Sequence, residues 1–179
     1  MKEVRTNGFA KEDSTLIYSY QMKVLVVYAT YSGGTRIAAT IVEEVLKTDH
    51  EVTIKSVHDL DQKEISDYDF TIFGSNSWFE QKEEGQMNSG FHALKEKLQP
   101  DCWKGKRFAI YALGDSNLYH NTFCKSADHL EKMVREFGGD AVVPPLKVDR
   151  FYFNEEENEK KITVWAEELS RFLKQQQSH

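Results

Sequence analysis

Six residues, Thr30-Tyr31-Ser32-Gly33-Gly34-Thr35, put three hydroxyls and two adjacent glycines directly before a stretch of helical periodicity. That combination suits a phosphate group. The glycines let the backbone turn its N–H groups inward, the positive end of the following helix favours an anion, and each hydroxyl can donate a hydrogen bond. No lysine accompanies them and no metal-binding pattern lies nearby, so the chemistry suggested is storage of a phosphate, not its transfer. Taken alone, the run also describes an ordinary Ser/Gly turn with a helix cap.

Two further stretches could share a rim with this one, Ser75–Ser89 and Gly114–Asn121, because each follows a strongly predicted strand. They carry aromatic and acidic residues, Trp78, Phe79 and Tyr119 with Glu80, Glu83, Glu84 and Asp115. Trp78 and Tyr119 on adjacent loops could sandwich a planar ring, and the carboxylates would disfavour added negative charge on it. Other chemistries lack their residues. The six histidines show no ligand spacing, so no metal is expected. Cys102 and Arg107 are one residue too close for a cysteine phosphatase and lie in the wrong loop. Tyr28-Ala29-Thr30 offers no acid for a phospho-acceptor. Gly114-Asp115-Ser116-Asn117-Leu118 lacks the last glycine of a nucleophile elbow, and no G-x-G-x-x-G or P-loop marks a nicotinamide or triphosphate site. No catalytic residue is assigned.

The elements that must position these loops alternate. Lys23–Tyr28 is a β-branched and aromatic run of the kind buried on both faces of a parallel sheet. Ile37, Ala38, Ile41, Val42, Val45 and Leu46 then fall on one helical face. The alternation continues with strands at 52–57, 70–74 and 108–113, a helix marked by Phe91, Leu94 and Leu98, and another carrying Phe123, Ala127, Leu130, Met133, Val134 and Phe137. A last strand opens at Ala141-Val142-Val143 and is cut by Pro144-Pro145, which places it at an edge. Ile162, Trp165, Leu169 and Phe172 give the closing helix. The expected fold is α/β, a three-layer sandwich with a five-stranded parallel sheet, its ligand outside the carboxyl ends of the strands.

The chain has 179 residues, 40% hydrophobic and 29% charged, with a net charge of −6. One domain over residues 22–175 is expected, with an N-terminal extension at 1–21, read as flexible, and a short tail at 176–179. The acidity disfavours nucleic acid and anionic membrane and favours basic protein partners. No window approaches the ~18 apolar residues of a membrane span and no signal-peptide core is present, so a cytoplasmic location is expected.

The run Val26-Val27-Tyr28-Ala29-Thr30-Tyr31-Ser32-Gly33-Gly34-Thr35, continuing to Ala39 and Val42, resembles the FMN-phosphate signature of the flavodoxin family. Gly74-Ser75-Asn76-Ser77-Trp78 is similar to the family's second loop, and Gly114-Asp115 through Tyr119 and Phe123 to its third, so the resemblance covers roughly Met22–Lys174. It implies sheet order 2-1-3-4-5, non-covalent FMN, and one-electron transport between an NAD(P)H-dependent reductase or similar donor and an acceptor enzyme, by a protein expected to be monomeric. The implied cofactor-binding residues are Thr30, Tyr31, Ser32, Gly33, Gly34, Thr35, Asn76, Ser77, Trp78, Phe79, Gly114, Asp115, Tyr119 and Phe123. Gly34 and Arg36 depart from the common pattern, as does Phe79. In the family the peptide after the tryptophan turns over with redox state. Phe79 would resist that turn if it demanded positive φ, unless a residue of Glu80–Gly85 is the hinge. The competing functions are an NAD(P)H-dependent flavoprotein reductase of quinones or similar acceptors, and a flavin-binding interaction module.

Overall fold

The computed structural model describes residues 21–176, so all but Gln176 of the expected tail at 176–179 and all but Gln21 of the expected extension at 1–21 lie outside the described residues, and Gln176 belongs to the last helix. The first strand, β1 (Lys23–Ala29), is central. Val24 and Val26 point to one face and Leu25 and Val27 to the other, all four without solvent exposure. Such burial explains why the run is apolar without alternation. Around it, β2 (Glu51–Ser56), β3 (Phe70–Asn76) and β6 (Arg107–Gly114) extend the sheet in the order β2-β1-β3-β6, every pairing parallel.

The fifth position is occupied by two short pieces, β7 (Asp140–Ala141) and β8 (Leu146–Asp149), both parallel to β6. Phe108 pairs with Ala141 and Tyr111 with Leu146, so three steps of β6 face five of the edge strand. Pro144 and Pro145 occupy that excess. They remove two donors where the chain bulges away, and pairing resumes at Leu146. The expected strand order thus holds, with its edge strand continuing past the prolines.

Helices cover both faces. α1 (Gly34–Leu46) and α4 (Glu155–Gln176) enclose one apolar cluster with Val24, Val26, Ile72 and Tyr111. α2 (Ser89–Lys95) and α3 (Ser126–Glu136) enclose the other around Leu25, Phe73, Trp103 and Phe108. α3 begins later than its apolar spacing suggests. Cys124 sits in the left-handed region at φ 49°, which halts helical propagation, so Phe123 precedes the helix and packs against the core instead. Outside the sheet, β4 (Trp78–Glu80) and β5 (Glu83–Gln86) form an antiparallel hairpin within the second loop. Among the described residues no helix is long and apolar enough to cross a membrane, and no group of acids, histidines and cysteines comes together to hold a metal.

Candidate functional site

The first loop is shaped from below and from the side. Gly33 adopts φ 94°, and its N–H donates to the Thr30 hydroxyl oxygen at 2.9 Å, closing a tight turn before α1. A Cβ on Gly33 would lie 3.3 Å from the Tyr152 hydroxyl, and one on Gly34 3.2 Å from Leu113, so both glycines allow close approach. The first turn of α1 has neither a side-chain cap nor an acidic residue. Its free N–H groups and positive dipole end therefore face the loop uncompensated, the condition for holding an anion. Beneath, Tyr111 sends its hydroxyl through the core to donate to the Thr35 carbonyl at 2.9 Å. From the side, Tyr152 donates to the Ser32 carbonyl at 2.6 Å.

The second loop is held by amides and hydroxyls. Ser75 accepts from the Asn88 backbone N–H at 2.9 Å, and Asn88 donates its side-chain amide to Asn76 Oδ1 at 2.9 Å. That fixes the Asn76 side chain while leaving its buried Nδ2 without a partner, an unsatisfied donor in the pocket wall. Ser77 hangs by its N–H from the Leu113 carbonyl at 2.7 Å, and its hydroxyl oxygen accepts from the first N–H of α3. The hairpin follows, tied back to the first loop by the Tyr31 hydroxyl, which donates to the Glu80 carboxylate and sits 3.1 Å from the Ser89 hydroxyl. Burial and the Glu80 carboxylate raise the Tyr31 phenol above its ordinary value, keeping it protonated as a donor.

The third loop turns about Asp115, whose carboxylate accepts from the Asn117 and Leu118 N–H groups at 2.9 and 3.1 Å. A Cβ on Gly114 would meet Cys124 Sγ at 3.0 Å, so glycine there lets the loop lie against the Phe123-Cys124 segment that leads into α3. Burial pushes the Cys124 thiol up to about 12, and it is inert.

One pocket of about 370 Å³ joins these loops at the carboxyl ends of the strands, running from Ser32, Gly34 and Thr35 past Asn76 and Ser77 to Trp78. Tyr31, Gly114 and Asp115 also line it. Four of the expected residues lie behind or beside that wall: Thr30 and Gly33 shape the turn, Tyr119 stands against Trp78, and Phe123 packs below Gly114. Phe79 projects from β4, 53% exposed, outside the pocket lining. Trp78 and Tyr119 contact each other edge to face, with centroids 5.8 Å apart at 64°. Rings stacked on both faces of a third would stand roughly 7 Å apart and parallel, so these two must part to take a planar ring between them. Positive φ in the hairpin falls at Gln81 and Lys82, 51° and 68°, and at Gly85, not at Phe79.

A fourth wall, Arg150-Phe151-Tyr152-Phe153, completes the pocket. Sequence reasoning missed it because the last strand was taken to end at the prolines. The signal was an aromatic run at the carboxyl end of the continued strand.

The site residues fit a flavin mononucleotide. An uncapped helix end and the Ser32 and Thr35 residues beside it suit its phosphate, the orphaned Asn76 amide suits a polar chain or ring edge, and exposed Trp78 suits the ring. Fold and site together define an α/β protein that binds a phosphorylated planar ligand at the carboxyl rim of a doubly wound sheet. A family model described as flavodoxin matches residues 26–162, and the chain belongs to that family. It is 34% identical to probable flavodoxin 2 of Bacillus subtilis over 139 residues, 76% of this chain and 88% of that one. It is 30% identical to the flavodoxin of Maridesulfovibrio salexigens over 129 residues, 71% and 86% of the two chains. Among solved structures, oxidised flavodoxin 2 from Bacillus cereus superposes with a TM-score of 0.67 at 29% identity, covering 80% of this chain and 94% of that one. The FMN-bound flavodoxin of Fusobacterium nucleatum gives a TM-score of 0.71 at 19% identity over 84% and 98%, a likeness of fold.

Proposed function

We infer that this chain is a flavodoxin, an electron carrier that binds FMN without a covalent bond. The observation that carries the reading is the Thr30–Thr35 turn at the uncapped start of α1, opening into a pocket whose far end presents Trp78. FMN bound there supplies one-electron redox chemistry, and the polypeptide binds it, orients it and limits its contact with water. Ser32, Thr35 and the first N–H groups of α1 hold the phosphate in the turn that Thr30 closes, Asn76 and Asp115 line the middle, and Trp78 covers the ring with Tyr119 beside it. Gly33 and Gly34 leave room for the phosphate, while Ser77, Gly114 and Phe123 support the two outer loops and Phe79 stands exposed at the rim. Among the described residues lining the pocket no side chain is a nucleophile paired with a base.

Redox partners follow from that role. The donor is an NAD(P)H-dependent reductase or similar protein and the acceptor a redox enzyme. The acidic hairpin residues Glu80, Glu83 and Glu84 favour basic docking faces on both. The carrier works as a monomer in the cytoplasm. Anaerobic stopped-flow measurement tests the reading. NADPH alone should leave the bound flavin oxidised, and adding a flavodoxin reductase should reduce it. Rapid bleaching by NADPH alone would make the protein a reductase in its own right.

A further inference from the structure

The fourth wall carries the pocket's cation. Among the described residues lining it, Arg150 is the one positively charged side chain and Asp115 the one carboxylate. Asp115 is engaged by the two N–H groups of its own turn. Asp149, next to Arg150 in sequence, accepts from the Ser116 N–H and hydroxyl at 2.9 and 2.6 Å. Arg150 forms no ion pair among the described residues. Its guanidinium carbon lies 4.6 Å from the centroid of the Phe153 ring, and its Nε is shut off from solvent without a hydrogen-bond partner. A shielded guanidinium donor left unsatisfied is costly, and an acceptor carrying negative charge relieves it best.

The backbone holds Arg150 in this position. Arg150 adopts φ 49°, ψ 54°, a left-handed conformation unusual for a residue with a side chain. Its N–H donates to the Gly114 carbonyl at 2.8 Å, and its carbonyl accepts from the Phe153 and Asn154 N–H groups at 2.9 and 3.3 Å. Two residues on, Tyr152 fastens the same segment to the Ser32 carbonyl. The Arg150 segment is thereby tied directly to the Thr30–Thr35 turn.

We propose that Arg150 is the counter-charge to the phosphate of the bound flavin nucleotide and sets the preference for FMN over riboflavin. The proposal rests on the reading of Thr30–Thr35 as the phosphate cradle. Hydroxyls and amides orient a phosphate but carry no net charge, and the helix end supplies only about half a positive charge against a group near −2. Arg150 supplies a full one from the adjoining wall. Its planar fork can donate two parallel bonds to phosphate oxygens while its face stays on Phe153.

Flavin-free protein titrated with FMN and with riboflavin by fluorescence quenching tests this, for the natural sequence, Arg150→Gln and Arg150→Lys. Arg150→Gln should weaken FMN about ten- to a hundredfold and leave riboflavin unchanged, because only the nucleotide carries the charge. Arg150→Lys should keep most of the FMN preference. Equal losses for both flavins, or none, would overturn the proposal while leaving the cradle intact. A natural protein that binds riboflavin as tightly as FMN would overturn the cradle reading and this proposal together. Should Arg150→Gln not fold, arginine modification of the natural protein by phenylglyoxal gives the same decision. FMN should protect Arg150 and riboflavin should not, and equal protection by both would overturn the proposal.

Discussion

Tyr111 crosses Gly74 on the neighbouring strand so closely that a Cβ at Gly74 would lie 1.9 Å from Tyr111 Cζ. The missing methyl is what lets the Tyr111 ring lie flat across the sheet and bring its hydroxyl to the Thr35 carbonyl. A β-sheet glycine thereby supports the Thr30–Thr35 loop from beneath. Gly74→Ala must displace the fully buried ring, an overpacking cost of about 3 kcal/mol, or roughly 6–12 °C in melting temperature for a domain of this size. Tyr111→Phe keeps the packing and loses one buried hydrogen bond, worth about 1 kcal/mol. It should weaken FMN severalfold with a much smaller change in melting temperature than Gly74→Ala. If Gly74→Ala melts with the natural protein, the close contact is wrong.

The hairpin turn is built from the wrong residues for its shape. Gln81 and Lys82 both have positive φ between the paired Glu80 and Glu83, a two-residue turn that favours Asn-Gly. Replacing both, Gln81→Asn with Lys82→Gly, should relieve strain of about 1 kcal/mol and slow amide exchange at Trp78 and Gln86. Faster exchange there would show that the left-handed turn is not the resting form.

Acid should loosen the fold near neutrality. His50, His92 and His129 are each held below the ordinary value of 6.5, first by burial, with Lys174, Lys95 and Lys125 adding repulsion. Below 6.5 the unfolded chain therefore binds more protons than the folded one. Their stabilising contribution is complete above that value and is lost as pH falls through the folded values. Asp49, held low by Lys174, loses its contribution only below 3.8, a separate window. The melting temperature should be level from about pH 8 to 6.5 and fall by pH 5.5, less steeply in His50→Gln. A melting temperature unchanged at pH 5.5 would contradict this.

Partner docking should depend on salt. Glu80, Glu83 and Glu84 stand on the hairpin beside the exposed Trp78 ring, where a partner must approach. Electron transfer from a reductase should slow as ionic strength passes the ~10 Å screening length of 0.1 M. Gln at all three positions should flatten that dependence. A rate indifferent to salt would remove electrostatic steering through this hairpin.

The central sheet and the first loop were legible because their signals are local. An apolar run such as Val24–Val27 has few alternatives to a buried strand, and two glycines flanked by hydroxyls before a helical face have a narrow range of uses. The hairpin was not, because Glu83-Glu84-Gly85 lacks the alternation of a half-buried strand. It is tied down by Tyr31 and Thr122, residues distant in sequence. The wall at Arg150–Phe153 was hidden by Pro144-Pro145, which read as a strand's end although an edge strand can bulge and resume. Phe123 was placed on a helix by spacing alone, and the left-handed Cys124 overrode that spacing.

The flavin content of the purified protein tests the central claim most directly. The purified protein should be yellow, its flavin, released by acid, should be FMN at one per chain, and flavin-free protein should rebind FMN far more tightly than riboflavin. A colourless protein that ignores FMN at micromolar concentration, or one that prefers riboflavin, would contradict it.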